Sequence, residues 1–175
     1  MKNNILIITG GTGGHVIPAV NFYNYVKKET ENVFLVTDNR GYKYINNIDN
    51  NKILKIKSSH LIGNFTFKIK ALIKLLIGFF QSILIFLKLR PKIIISFGSY
   101  ASMPPLFCFI IFKIFFKTHL YIHEQNSVIG QSNKIFIRFA NKIFVNFDKK
   151  YSTIEKNKKK IIVVGLPENE NFKSF

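Results

Sequence analysis

Apolar residues in this chain fall into short unbroken runs separated by longer stretches with helical spacing. Residues 5–9 (ILIIT) form such a run and end in glycines, the pattern of a strand covered on both faces. Residues 16–28 then place Val16, Ala19, Val20, Tyr23 and Val26 on one helical face. The alternation continues to the end of the chain. Strands are predicted at 32–36, 52–56, 92–96, 120–122, 142–145 and 161–164, and helices at 65–89, 104–116 and 130–140. Strands alternating with helices imply βα units and a doubly wound parallel α/β sheet, Rossmann-like in outline. In such sheets ligands sit beyond the carboxyl ends of the strands. Three polar or glycine-rich loops fall there: 10–15, 97–102 and 123–127.

A length of 175 residues fits one domain with its own core. The single cysteine, Cys108, excludes a disulfide framework, and four scattered histidines give no metal-ligand cluster. The N-terminal apolar run is too short for a signal-peptide core, so secretion is not expected. The four residues Lys156-Asn157-Lys158-Lys159 with Lys160 read as a solvated turn.

Charge changes the picture. Twenty-six basic against nine acidic residues give a net charge of +17, which calls for an anionic partner. Lysine outnumbers arginine 23 to 3, and an A/T-rich codon bias accounts for part of the excess, since Lys, Asn, Ile and Phe all rise together. The distribution is more informative than the total: between Asp49 and Glu124 every formal charge is positive. The same region holds two apolar segments, residues 75–87 and 103–112, each shorter than the roughly 18 residues of a bilayer span. They read either as core-facing helices or as helices resting on an anionic membrane surface. Nucleic acid is not the expected partner, because the chain lacks Trp, is poor in Arg and carries no RRM, KH or helix-turn-helix pattern.

The loop Gly10-Gly11-Thr12-Gly13-Gly14-His15 follows a strand and opens a helix. Glycines there let a ligand approach the backbone, and helix N-terminal amides attract phosphate oxygens. No Gly-Lys-Ser/Thr closes it, so it is not a P-loop. Gly11-Thr12-Gly13 begins a dinucleotide fingerprint with Asp38 near its acidic position, but Val16 stands at the third glycine. His15 is open to a helix-cap role, and His123 reads as a structural partner at a strand end. Glu124 is open to pairing with a lysine, and Asn126 to an Asx turn.

Three segments in this order, ITGGTGGHVIPA (8–19), SFGSYAS (96–102) and IHEQNSVIGQSNK (122–134), strongly resemble the bacterial peptidoglycan glycosyltransferases of family 28. The resemblance covers nearly the whole chain but only the N-terminal half of that family's GT-B architecture. It implies an inverting hexosaminyltransferase that moves GlcNAc from UDP-GlcNAc to the 4-hydroxyl of undecaprenyl-diphosphate-MurNAc-pentapeptide (lipid I), giving lipid II. It implies no metal or other cofactor, and a peripheral location on the cytoplasmic face of the plasma membrane. By position, Gly11, Thr12, Gly13 and Gly14 match the loop that contacts diphosphate and sugar. Gly98, Ser99 and Tyr100 match a second glycine-rich loop, with Ser99 where glycine is more usual. Gln125 and Asn126 fall in the substrate-binding motif. His15 matches the family's loop histidine, a candidate general base or acceptor-positioning group, and Glu124 in the matching cleft motif is the second candidate for catalysis. The family's Gly-Asn-Pro-x-Arg reads here Gly165-Leu166-Pro167-Glu168-Asn169, without the donor-contacting arginine.

On this resemblance residues 1–165 are expected to form the acceptor-binding domain and 166–175 the start of a linker or a truncated tail. The domain holding most of the donor site is then absent, and the isolated chain is expected to be inactive. The rival reading is a membrane-docking module without catalysis, or one half of a split GT-B enzyme.

Overall fold

The computed structural model describes residues 3–148 and 160–168. Seven strands form one sheet: β1 (Ile5–Ile8), β2 (Val33–Thr37), β3 (Ile53–Lys55), β4 (Ile93–Ser96), β5 (His119–Glu124), β6 (Lys142–Val145) and β7 (Ile161–Val163). Their order is β3-β2-β1-β4-β5-β6-β7, and every neighbouring pair is parallel. The helices are α1 (Gly13–Glu29), α2 (Asn39–Tyr42), α3 (Phe65–Leu89), α4 (Met103–Phe112) and α5 (Gln131–Phe136).

The expected doubly wound α/β architecture is therefore present. Strand order reverses direction between β1 and β4, the switch point at which such sheets open a crevice. Side-chain alternation along β1 builds the two cores. Leu6 and Ile8 face a cluster with Ile94, Leu120, Ile122, Phe86, Leu106 and Phe109, whereas Ile7 faces Leu35, Ala19, Tyr23 and Phe97. Cys108 lies in the first cluster, where burial pushes its thiol up to about 12 and leaves it inert.

Two elements depart from the sequence reading. The helix expected to run to residue 116 stops at Phe112, and Ile114 and Phe115 stand in solvent. Uniformly apolar sequence carries no periodicity to mark that end. The short helix α2 was not expected; Asp38 caps it by accepting the Gly41 amide. The run 156–159 and the tail from Asn169 lie outside the described residues.

Helix α3 carries the largest exposed apolar surface. It buries Ala71, Gly78, Ser82, Phe86 and Leu89 and leaves Phe65, Phe67, Leu72, Phe80 and Leu84 more than half exposed. Its uncharged run is shorter than a span, yet the whole 25-residue helix is long and apolar enough to cross a membrane by length and composition. Its packing against the loop after β3, and against Pro104 of α4, leaves no room for a side chain at Gly78. A Cβ at Gly78 collides with the carbonyl oxygen of Lys57, while Ser82 Oγ donates back to the Gly78 carbonyl at 2.7 Å. Gly78→Ala is therefore expected to lower stability by about 1–3 kcal/mol, because backbone must move, outweighing a helix-propensity gain of about 1 kcal/mol. Urea unfolding followed by circular dichroism checks it; an unchanged or raised midpoint would contradict the packing described.

Candidate functional site

The three loops singled out in the sequence meet at the carboxyl edge of β1, β4 and β5. They enclose a cavity of about 210 Å³. Seven expected site residues line it: Gly11, Thr12 and His15 from the first loop, Gly98, Ser99 and Tyr100 from the second, and Asn126 from the third. Gly13 and Gly14 form the first turn of α1 beside it.

The glycine loop is built around a buried carboxylate. Asp38 Oδ1 accepts the amides of Gly11 at 3.0 Å and Gly41 at 2.9 Å. Its Oδ2 accepts from Ser58 Oγ at 2.9 Å and from Arg40 at 2.7 and 2.9 Å. Burial alone pushes this carboxyl upward, but the two amides and the guanidinium outweigh it and hold the group below its usual range. Both oxygens are thus committed to protein donors, and Val16 is buried at the helix start. The dinucleotide reading finds no free carboxylate for a ribose. Gly11 has φ +77°, the left-handed region that favours glycine, and it turns the chain into α1. Thr12 is the N-cap residue but its side chain makes no cap bond. Among the described residues, the amides of Thr12, Gly13 and Gly14 meet no protein acceptor, and no acidic side chain lies in the first turn. Gly13 has ordinary helical backbone and only van der Waals neighbours around an added Cβ, Ile17 and Tyr44 at 3.4 Å.

The second loop is tight. Gly98 has φ +84°, and a Cβ there would press on the Asn133 amide at 3.1–3.4 Å. Ser99 follows at φ +77°, a conformation serine rarely adopts, and its Oγ accepts the Ala101 amide at 3.2 Å. The sequence departure from glycine at this position therefore places strain at the cavity wall.

His15 is not a helix cap, since Thr12 holds that place and His15 is the third helical residue. Its Nδ1 lies 2.9 Å from both the Phe97 carbonyl oxygen and Gln125 Oε1. A carbonyl only accepts, so Nδ1 carries a proton, and in the neutral ring the lone pair falls on Nε2. Gln125 is buried beneath the cavity rather than lining it. His123 is buried and stacked on Phe97 at 5.0 Å, in the structural place expected of it. Burial holds its imidazole below the ordinary range, against smaller opposing effects of the Gly165 carbonyl and Glu124.

Glu124 ends β5 and is fully buried. Oε1 accepts the backbone and side-chain amides of Asn126, both at 3.0 Å. Oε2 accepts the Gly130 amide and Asn133 Nδ2, both at 2.9 Å. Four donors saturate the carboxylate, and no lysine is among them. Asn126 is held by this carboxylate as a donor, not by an Asx turn of its own.

Reasoning from sequence gave no role to His60 or to residues 130–133, which complete the cavity wall. His60 packs edge-on to Tyr100 at 4.8 Å and meets Arg40; a lone polar Ser-Ser-His after the third strand was the only sign of it. Asn133 is buried, donates to Glu124 and the His123 carbonyl, and leaves Oδ1 without a partner. An orphan acceptor on a cavity wall suits a ligand hydroxyl or N–H.

A parallel sheet with glycine-loop and acidic-loop motifs at its switch point defines the N-terminal half of a GT-B glycosyltransferase. The profile described as the glycosyltransferase family 28 N-terminal domain matches residues 5–145, and the chain belongs to that family. It is 37% identical over 162 residues to the UDP-N-acetylglucosamine–N-acetylmuramyl-(pentapeptide) pyrophosphoryl-undecaprenol N-acetylglucosamine transferase of Rickettsia typhi, covering 92% of this chain and 40% of that protein. The enzyme of the same name from Rickettsia rickettsii is 35% identical over 172 residues, covering 98% and 43%. The chain thus spans about two fifths of the length of these relatives. In fold it is similar to the crystal structure of Acinetobacter baumannii MurG, with a TM-score of 0.72 at 22% identity over 95% of this chain and 46% of that one.

The Asp38 arrangement carries a pH signature. Its folded-state value is depressed, so its contribution is present above the ordinary carboxylate range and is lost as pH falls through the folded value. Asp38→Asn is expected to cost about 1–3 kcal/mol near neutrality, the worth of charge-assisted hydrogen bonds. The gap from the parent should begin to narrow below a pH of about 4, the ordinary carboxylate value, and close only as the pH falls through the lower folded-state value. A gap that stays constant down the acid limb of the stability curve would contradict it.

Proposed function

We propose that this chain supplies the acceptor-binding and membrane-binding half of an inverting UDP-GlcNAc-dependent transferase. The reaction places GlcNAc on the 4-hydroxyl of lipid I to give lipid II in peptidoglycan synthesis. The observation that carries the reading is the convergence of both glycine loops and Asn126 on one cavity containing a histidine whose Nδ1 is held by the Phe97 carbonyl and Gln125. The relatives' names supply the substrates. On this reading residues 1–165 form the acceptor domain and the donor is held largely by a domain outside this chain.

The chemistry is a single displacement. The acceptor oxygen bonds to the anomeric carbon as the bond from that carbon to the UDP oxygen breaks, its electron pair leaving with UDP. The hydroxyl proton passes to His15 Nε2, which suits a general base better than the saturated Glu124. The amides of Thr12, Gly13 and Gly14 at the start of a 17-residue helix bind the lipid diphosphate, where the helix dipole favours negative charge. Asn126 contacts the sugar across the cleft.

Helices α3 and α4 seat the domain on the cytoplasmic leaflet as a peripheral protein. Exposed Phe and Leu side chains on α3 alternate with Lys68, Lys70 and Lys74, and Lys113 extends the basic rim past α4. Each near-surface lysine is worth about 1 kcal/mol against an anionic leaflet.

His15→Ala, made in a chain joined to a donor domain, is expected to lower kcat by about 10²–10⁴ with acceptor Kd little changed. Loss of affinity with kcat intact at saturation would make His15 a binding group instead. The 175-residue chain should sediment with vesicles containing anionic lipid and be released by high salt, because exposed charges are screened. Equal binding to neutral vesicles, or resistance to salt, would contradict a peripheral seat.

A further inference from the structure

A chain of hydrogen bonds runs beneath the cavity, and its polarity is readable atom by atom. At one end His123 Nε2 lies 3.0 Å from the Gly165 carbonyl oxygen, so Nε2 carries the His123 proton and Nδ1 the lone pair. Gln125 Nε2 lies 3.1 Å from the His123 carbonyl and 3.2 Å from His123 Nδ1, two acceptors that fix which end of the amide is NH₂. The other end, Oε1, therefore faces His15 Nδ1 at 2.9 Å. The Phe97 carbonyl, also 2.9 Å from Nδ1, reaches the same assignment by a separate route. The Phe97 carbonyl and Gln125 Oε1 find a donor in the ring only when His15 is protonated on Nδ1.

From this we propose that Gln125 is a positioning residue: its amide, oriented by His123, holds the neutral His15 ring as the Nδ1–H tautomer and so leaves the lone pair on Nε2. The inference rests on the reading of His15 as base but concerns a different residue. Neutral imidazole carries its proton on either nitrogen, and a histidine protonated on Nε2 has no lone pair there to take a proton. Gln125 and the Phe97 carbonyl together exclude that form. When Nε2 accepts a proton, the same two acceptors stabilise the imidazolium. Burial of Gln125 removes competing water, and the stacking of His123 on Phe97 keeps both ends of the series in register. The reach of His123 to Gly165 ties the series to the segment that follows β7.

The test is the ring ¹⁵N spectrum of the labelled 175-residue chain at a pH of about 8, above the ordinary range of imidazole. Long-range ¹H–¹⁵N correlations distinguish the two tautomers for each histidine. The expected result is His15 as Nδ1–H and His123 as Nε2–H. Gln125→Leu should lower the Nδ1–H to Nε2–H ratio of His15 about 3–10-fold, the equivalent of one neutral hydrogen bond. Gln125→Glu, whose carboxyl in its acid form keeps an acceptor against His15 Nδ1 and an O–H donor toward His123, should retain the ratio. In a chain joined to a donor domain, Gln125→Leu should lower kcat with KM unchanged, and Gln125→Glu should restore it.

A wild-type His15 protonated on Nε2, or a ratio unmoved by Gln125→Leu in a folded chain, overturns the proposal. Should Gln125→Leu not fold, the wild-type and Gln125→Glu spectra decide it. Loss of the Nδ1–H tautomer in Gln125→Glu also counts against it. If the tautomers shift as expected while His15→Ala keeps its kcat, the base assignment falls and the positioning role stands. If His15→Ala abolishes turnover while the ratio is unmoved, the reverse holds.

Discussion

Burying both faces of an all-parallel sheet leaves the loops at the strand ends as the only backbone free to carry chemistry, and the rest of this molecule is arranged around that constraint. Strands β1, β4 and β5 are covered on both sides, by α1 on one and by α3 and α4 on the other. Their carboxyl ends then lie side by side at the switch point. The glycine loop, the Gly98–Ser99 turn and the residues after Glu124 are brought together by strand register alone, with Ile8 paired to Ser96 and Ser96 to Ile122.

Within that frame two buried carboxylates act as local organisers. Asp38 gathers the amides of Gly11 and Gly41 and so fixes the turn into α1. Glu124 does the same for Asn126, Gly130 and Asn133 on the opposite wall. Neither has an oxygen to spare, and their value lies in the donors they align. The cavity between them is left with unpaired backbone amides on one side, an unpaired acceptor at Asn133 and the edge of His15. That complement matches a ligand bearing both an anionic group and hydroxyls. Basic, apolar helices on one flank suit the lipid part of the acceptor proposed above.

Much of this was legible in the sequence, and the failures have physical reasons. Continuous apolar runs such as ILII announce doubly covered strands because both side-chain faces must be apolar. The motif loops were visible because glycine and polar residues interrupt those runs. The end of α4 was not visible, because ten apolar residues in succession offer no polar face to mark a boundary. The separate roles of the residues 123–126 were also hidden. Adjacent strand residues point to opposite faces, so His123 and Glu124 part company, and it is the folded chain that turns Glu124 and Gln125 inward to protein donors and acceptors. His60 joins the cavity through a loop of no recognisable pattern, and spacing carries no information about such an approach.

The central claim, that the glycine loop and Asn133 wall form an acceptor site for a diphosphate-linked sugar, is tested most directly by titrating the ¹⁵N-labelled chain with a short-chain, water-soluble polyprenyl-diphosphate-linked muramyl peptide. Backbone amide shifts give the location of binding. The account predicts saturable binding, with the largest shifts at Thr12, Gly13 and Gly14 and at the Asn133 side-chain amide. It also predicts weakening in Gly13→Ala, where the fold has room for the methyl group but the ligand does not. Shifts confined to the lysines of α3, or no saturation in a chain that remains folded, would contradict it.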